Sequence, residues 1–180
     1  MSTSNGPVLA SRVPAPSRCP LRLRMAEHPG KGRLDGGWWP QTRELPMELA
    51  DLVDHFPAQS GRVVRALGSP PDWDSMPRIV PVAGRYVKVG AFPRDDTHLV
   101  LLKTSDRRTL YVLVVPPGFT PAQGDEALRA SAETRNARTA TEVLALVAGH
   151  ADLDPGGHWS DDGGSWWRPE TGPPLSRRGG

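Results

Sequence analysis

Residues 78–115, RIVPVAGRYVKVGAFPRDDTHLVLLKTSDRRTLYVLVV, decide the fold. Val87, Val89 and Ala91 alternate with Tyr86, Lys88 and Phe92, the period-two pattern of a half-buried strand. Ala83-Gly84 joins this run to Arg78–Val82 as a hairpin. Pro93-Arg94-Asp95-Asp96 then turns the chain into His98–Lys103, and Ser105-Asp106-Arg107-Arg108 turns it into Thr109–Val115. Leu110, Val112, Leu113, Val114 and Val115 leave almost no polar side to the last run, which is therefore expected at the centre of a sheet with both faces covered. Pro116-Pro117 ends it.

Working outward, Leu21, Leu23 and Met25 alternate with Arg22 and Arg24, predicting a strand with a solvated arginine face. Leu45, Leu49, Leu52, Val53 and Phe56 form the apolar stripe of a helix, with Glu44, Glu48, Asp51 and Asp54 opposite, Pro46 in its first turn, Thr42 or Arg43 near its N-cap, and Pro57 as its stop. Arg62–Leu67 is a β-branched strand that runs into the breakers Gly68-Ser69-Pro70-Pro71 and then Trp73. On the other side, Thr120, Pro121 and Gln123 have the spacing of a capping box, so a helix is expected there with Ala127, Leu128 and Ala132 against the sheet. A break near Asn136 separates it from a second helix carrying Val143, Leu144, Leu146 and Val147, which ends before Gly149. The predicted fold is α+β: an antiparallel β-sheet of about five to seven strands, packed by one helix in the N-terminal half and two C-terminal helices.

The chain has 180 residues, enough for one ordinary core. Residues 20–167 are expected to form that single domain, while 1–19 and 168–180 are rich in Ser, Pro and Gly, lack any period and are expected to be disordered tails. Twenty-two basic against 20 acidic residues leave a formal charge of +2, so bulk attraction to nucleic acid or membrane is not implied. The one cysteine, Cys19, has no disulfide partner in the chain, and the first twenty residues lack a signal-peptide core; a reducing cytoplasm is the expected location. The longest apolar run, Leu110–Val115, is far shorter than the roughly 20 residues that span a bilayer, so no membrane partner is expected.

The run Leu34-Asp35-Gly36-Gly37-Trp38-Trp39-Pro40, continuing through Thr42, Arg43, Glu44 and Leu45, resembles an uncharacterised family of small actinobacterial proteins with an LDGxWWP motif. Arg62-Val63-Val64-Arg65 followed by Trp73, the hairpin ending in Gly90, the Val114-Val115-Pro116-Pro117 exit and the segment Trp159-Ser160-Asp161-Asp162-Gly163-Gly164 are similar to it as well. The resemblance spans about residues 20–165. It implies domain limits and an actinobacterial origin, and no activity, cofactor or partner.

Chemistry-bearing residues are sparse. Asp35 and the two indoles stand beside a helix entry, where free N–H groups could receive an anion. The structural alternative is a Gly36-Gly37 turn, packed indoles and an Asp35 bonded to nearby backbone. Adjacent residues on a strand face opposite ways, so at least one of Trp38 and Trp39 is expected to reach solvent or the N-terminal tail. Arg62, Arg65, Arg78, Arg85, Lys88 and Arg94 could gather on one sheet face as a single-stranded nucleic-acid platform, but ten acidic residues between Glu27 and Asp96 compete with them, and a solvated face is the expectation. His150, Asp152, Asp154 and His158 match no metal-binding spacing, Gly30-Lys31-Gly32-Arg33 lacks the rest of a phosphate loop, and Cys19 and His28, His55 and His98 form no nucleophile motif.

No catalytic residue, metal or cofactor is assigned. Six Trp in so short a chain point to a noncatalytic interaction or regulatory module using a Trp/Arg surface, with Asp35, Trp38, Trp39, Arg43, Trp73 and Arg85 as its contact residues. A protein is the expected partner and nucleic acid is disfavoured. The alternative is a small-molecule binder or enzyme whose pocket lies between the sheet and the WWP loop, lined by Asp35, Arg43, Trp73 and Arg85.

Overall fold

A computed structural model describes residues 20–91 and 97–151. The two expected tails, Cys19, Arg94, the Asp152, Asp154 and His158 of the candidate metal set, and Trp159, Trp166 and Trp167 lie outside the described residues, as does the side chain of His150. The described chain is an α+β fold of seven strands and three α-helices: β1 (Leu23–Met25), β2 (Gly36–Trp38), α1 (Leu45–Asp54), β3 (Val63–Gly68), β4 (Ile79–Val82), β5 (Arg85–Ala91), β6 (Leu99–Thr104), β7 (Thr109–Val114), α2 (Pro121–Ser131) and α3 (Ala140–Ala151).

The strands form one sheet in the order β1-β2-β7-β6-β3-β5-β4. It is mixed rather than wholly antiparallel, because β2 runs parallel to β7 and β3 parallel to β5. The second parallel pair has a local cause. Pro70-Pro71 starts a 3₁₀ turn that ends β3, and the chain then travels to the edge of the sheet before entering β4. The β4–β5 hairpin consequently folds back to insert β5 between β4 and β3 in the direction of β3. Pro81, which has no N–H to donate, sits on the edge strand β4.

Gly36-Gly37 forms strand β2 where a turn was the simpler expectation. Both glycines are needed for close approach. A Cβ on Gly37 would overlap the Ser131 hydroxyl of α2 and lie 3.1 Å from Leu128 Cδ2, and one on Gly36 would overlap the Arg24 carbonyl of β1. β7 is central as expected. Its Leu110, Val112 and Val114 enter one apolar cluster, and Leu113, with Val115 just past the strand's end, enters the other.

Those two clusters lie on opposite faces of the sheet. The first joins Leu45, Leu49 and Leu52 of α1 to Trp38, Trp73, Val80, Val87 and Leu102. The second joins Ala127 and Leu128 of α2 and Val143 and Val147 of α3 to Trp39, Leu99, Leu101 and Leu113. Among the described residues, α2 packs against β1, β2 and β7, and with α3 it covers the second face at that end of the sheet.

The N-cap of α1 is Glu44, one residue beyond the expected position. Glu48, expected on the wet side, is buried. Its carboxylate accepts from the Gln41 N–H at 3.0 Å and from the Thr42 N–H and hydroxyl at 3.1 and 2.9 Å, which fastens the residues after the WWP motif to the first turn of the helix. The capping box of α2 is present: Thr120 Oγ1 accepts from the Gln123 N–H at 3.3 Å and Gln123 Oε1 from the Thr120 N–H at 3.0 Å. Between α2 and α3 the buried Asn136 donates Nδ2 to the Ala130 carbonyl at 3.0 Å, while its Oδ1 accepts from the Arg138 N–H at 2.8 Å. The second helix then continues through Gly149 to Ala151, past the stop expected there. Among the described residues no helix is long and apolar enough to cross a membrane.

Candidate functional site

Of the six contact residues expected from the sequence, Asp35, Trp38, Trp39 and Trp73 are buried, Arg85 is half-buried and Arg43 is exposed. Asp35 is 2% exposed, and its carboxylate accepts from the Gly30 N–H at 2.5 Å and the Tyr111 N–H at 2.8 Å, pinning the 30–35 loop to β7. Trp38 and Trp39 do point to opposite faces, but neither reaches solvent, because both faces are covered there: Trp38 is 1% exposed and Trp39 6%. Trp38 packs on Trp73 with ring centroids 5.4 Å apart. Arg43 pairs with Asp74 at 3.0 Å and donates to the Pro71 carbonyl at 2.7 Å, holding the loop that carries Trp73. Arg85 donates to the Val63 carbonyl at 2.6 Å. Burial, followed by the charge of Arg62, pulls its guanidinium below the ordinary value, and Asp54 opposes the shift.

Trp38, Trp73 and Arg43 thus share one side of the sheet region, while Trp39 belongs to the other cluster. Arg22, expected on a solvated face, instead stacks its guanidinium 3.7 Å from the centroid of the Trp39 ring and donates to the Trp39 and Pro40 carbonyls at 3.1 and 2.7 Å. The described indoles are core, and none of the three is a surface anchor.

The open ground lies at the other end of the sheet. On β5, Val87 and Val89 face the α1 cluster, so Tyr86, Lys88 and Gly90 face away from it. By the same alternation Arg65 and Leu67 of β3, Leu101 and Lys103 of β6, and Thr109 and Tyr111 of β7 share that outer face. Cross-strand register then aligns Ile79 with Lys88, Lys88 with Arg65, Arg65 with Lys103 and Lys103 with Thr109. Neighbouring strands lie about 4.8 Å apart, so three cations fall within about 10 Å. Arg65, Lys88 and Lys103 are all exposed.

No ion pair joins these three to a carboxylate among the described residues. The strands themselves explain this: β3 to β7 contain Arg65, Arg85, Lys88 and Lys103 and not a single Asp or Glu. Six of the ten acids that compete in the sequence are placed elsewhere. Asp35 and Glu48 hold backbone amides, Asp51 and Asp54 ride on α1 against the opposite face, Asp74 faces Arg43, and the buried Asp72 accepts from the His98 N–H at 2.8 Å and meets its Nδ1 at 3.0 Å. Asp95 and Asp96 lie outside the described residues.

Two shallow grooves meet at Arg65 and Lys88. One, of about 510 Å³, extends to Val64, Lys103, Arg107 and Thr109; the other, of about 520 Å³, extends to Met76, Arg78, Ile79 and Gly90. Gly90 seats the row: a Cβ there would lie 2.7 Å from Leu67 Cδ2 and 3.5 Å from Arg65 Nη2. Exposed tyrosines flank it, Tyr86 at 56% and Tyr111 at 42%. At the β6–β7 turn Asp106 is engaged by Arg108 at 2.9 Å and by the Thr104 hydroxyl, which is the main reason its carboxyl lies below the usual range.

Of the six basic residues that could have formed a platform, Arg65 and Lys88 are adjacent and Arg78 borders the second groove. Lys103, Arg107, Tyr86 and Tyr111 carry no motif in the sequence that marks them as site residues. Alternation within each strand marks their outward direction, but only the pairing of strands distant in sequence makes them neighbours.

No curated protein and no solved structure is significantly similar to the chain. A family model covers residues 22–131, from β1 to the end of α2, and therefore includes every strand of the sheet and the whole cationic row. By that match the chain belongs to DUF5994, a family of unknown function.

Proposed function

We propose that this protein is a noncatalytic binding module that takes an anionic partner on the open half of its sheet. The observation that carries this reading is the row of Arg65, Lys88 and Lys103, exposed, in register on three neighbouring strands, with no carboxylate ion-paired to any of them among the described residues. Like charges placed side by side repel one another, and an incoming anion relieves that repulsion. The interaction role inferred from composition is retained, and its surface moves from the tryptophans to the sheet. The lone Cys19 and the family resemblance support a setting in an actinobacterial cytoplasm.

The test is retention on immobilised heparin, a sequence-neutral polyanion, across a salt gradient. The triple variant Arg65→Gln/Lys88→Gln/Lys103→Gln is expected to elute at clearly lower salt than Arg24→Gln/Arg33→Gln/Arg135→Gln, which removes the same charge elsewhere, with melting temperatures confirming that both fold. Equal shifts for the two triples would show that net charge alone is being read and would overturn the assignment of the face.

A further inference from the structure

We infer, resting on the anion-binding reading above, that the ligand of this face is single-stranded nucleic acid. Two independent features of the same surface point to it. The first is the cationic row, which suits a chain of phosphates. The second is the pair of exposed tyrosines on either side of that row: Tyr86 stands two residues before Lys88 on β5, and Tyr111 two residues after Thr109 on β7, so both rings share the outer face with the cations. An acidic protein segment would use the cations and leave the rings idle. A ligand that carries both a phosphate backbone and flat unpaired bases uses both, because every base has a face that stacks on an aromatic ring. In a duplex those faces are already stacked within the helix, so the tyrosines favour the unpaired form.

The edges of the platform fit the same ligand. Ile79 on the outermost strand is 52% exposed and offers an apolar contact beside Lys88, and Arg107 at the β6–β7 turn extends the positive groove past Lys103. Crossing five neighbouring strands, the row from Ile79 to Thr109 runs about 19 Å, room for a short stretch of several nucleotides.

The experiment is fluorescence anisotropy of the full chain with a labelled oligothymidylate, a duplex of the same length, and polyglutamate as competitor, each over a range of salt. The oligothymidylate is expected to bind more tightly than the duplex and to resist polyglutamate at equal charge. Neutralising Arg65, Lys88 and Lys103 together should flatten the log–log salt slope by about 2, since each phosphate contact on a single strand contributes about 0.7. Tyr86→Ala should weaken binding about fivefold or more while Tyr86→Phe, which keeps the ring, restores it; both substitutions are at an exposed position, and Tyr111→Ala supplies a second variant.

Tighter binding of the duplex, displacement by polyglutamate at equal charge, or an unchanged affinity in both Tyr86→Ala and Tyr111→Ala would each overturn the nucleic-acid assignment. If oligothymidylate fails to bind while the heparin difference persists, the ligand is another anion. If both fail, the face binds no anion.

Discussion

Gly124 lies in α2 directly against the ring of Trp39, and a Cβ at that position would overlap three carbons of the indole. Two effects oppose each other in Gly124→Ala. Replacing Gly by Ala inside a helix stabilises it by about 1 kcal/mol, through the smaller backbone entropy lost on folding. Overpacking typically costs about 1–3 kcal/mol, and several features place this site at the upper end. The clash is with a rigid aromatic ring, not with the tip of a flexible chain. The ring is held on another side by the Arg22 guanidinium, 3.7 Å from its centroid, and Arg22 is itself tied to the Trp39 and Pro40 carbonyls. Overpacking therefore outweighs propensity, and Gly124→Ala should lose about 2 kcal/mol net, a fall of roughly 5–10 °C in Tm.

Urea denaturation followed by circular dichroism measures this directly, with the slope checked for constancy. In a Trp39→Leu background the clash is gone, so the same Gly124→Ala change should be stabilising by about 1 kcal/mol, giving a coupling of about 3 kcal/mol across the pair. A Gly124→Ala protein as stable as the parent, or additive behaviour in the double mutant, would refute the packing of Trp39 on α2.

Two further outcomes follow from the same packing. Asp35→Ala removes the acceptor of two backbone N–H groups and should destabilise by about 3 kcal/mol in chemical denaturation, with no loss of heparin retention beyond that of the melted fraction; a change below about 1 kcal/mol would mean that the carboxylate is not the tie between Gly30 and Tyr111. At the start of α3, Glu142 accepts from the Thr139 N–H at 2.7 Å and its hydroxyl at 3.0 Å, and these bonds hold its carboxyl below the ordinary range. A lowered folded-state value means that this cap is fully present above the ordinary carboxylate pKa and is lost as pH falls through the lowered one; amide protection in the first turn of α3, taken relative to the intrinsic exchange rate at each pH, should fall over that acid window, and Glu142→Gln should abolish the step.

Elements defined by local chemistry were legible in the chain. Thr120-Pro121-Ala122-Gln123 specifies a capping box with no help from elsewhere, and the helix begins where those four residues place it. The stripe from Leu45 to Val53 likewise gives α1, and the apolar run at 110–115 gives an interior strand that feeds both apolar clusters, with Tyr111 alone exposed. Elements defined by what approaches them were not. Gly36-Gly37 has the local signature of a turn, and it is a strand only because α2 and β1 press against it too closely for any side chain. Glu48 has the spacing of a wet helix face, and it is buried because the chain ahead of the helix folds back to offer it three donors. Trp38 and Trp39 obey the alternation rule, yet neither is exposed, because alternation assigns sides and not cover.

The candidate site divides along the same line. The sequence by itself determined which side chains leave each strand in which direction, since the period of two is a property of the extended backbone. It also determined that β3 to β7 carry cations and no acid, a fact of composition once the strands are bounded. Only the tertiary structure decided that Lys88, Arg65 and Lys103 stand side by side, because register between paired positions 23 and 38 residues apart is fixed by the hydrophobic faces the strands must bury together. Only it decided that, among the described residues, α2 and α3 cover one end of the face and leave the other open, since where a helix docks depends on how the whole apolar surface is shared between elements, a quantity that no single stretch of chain contains.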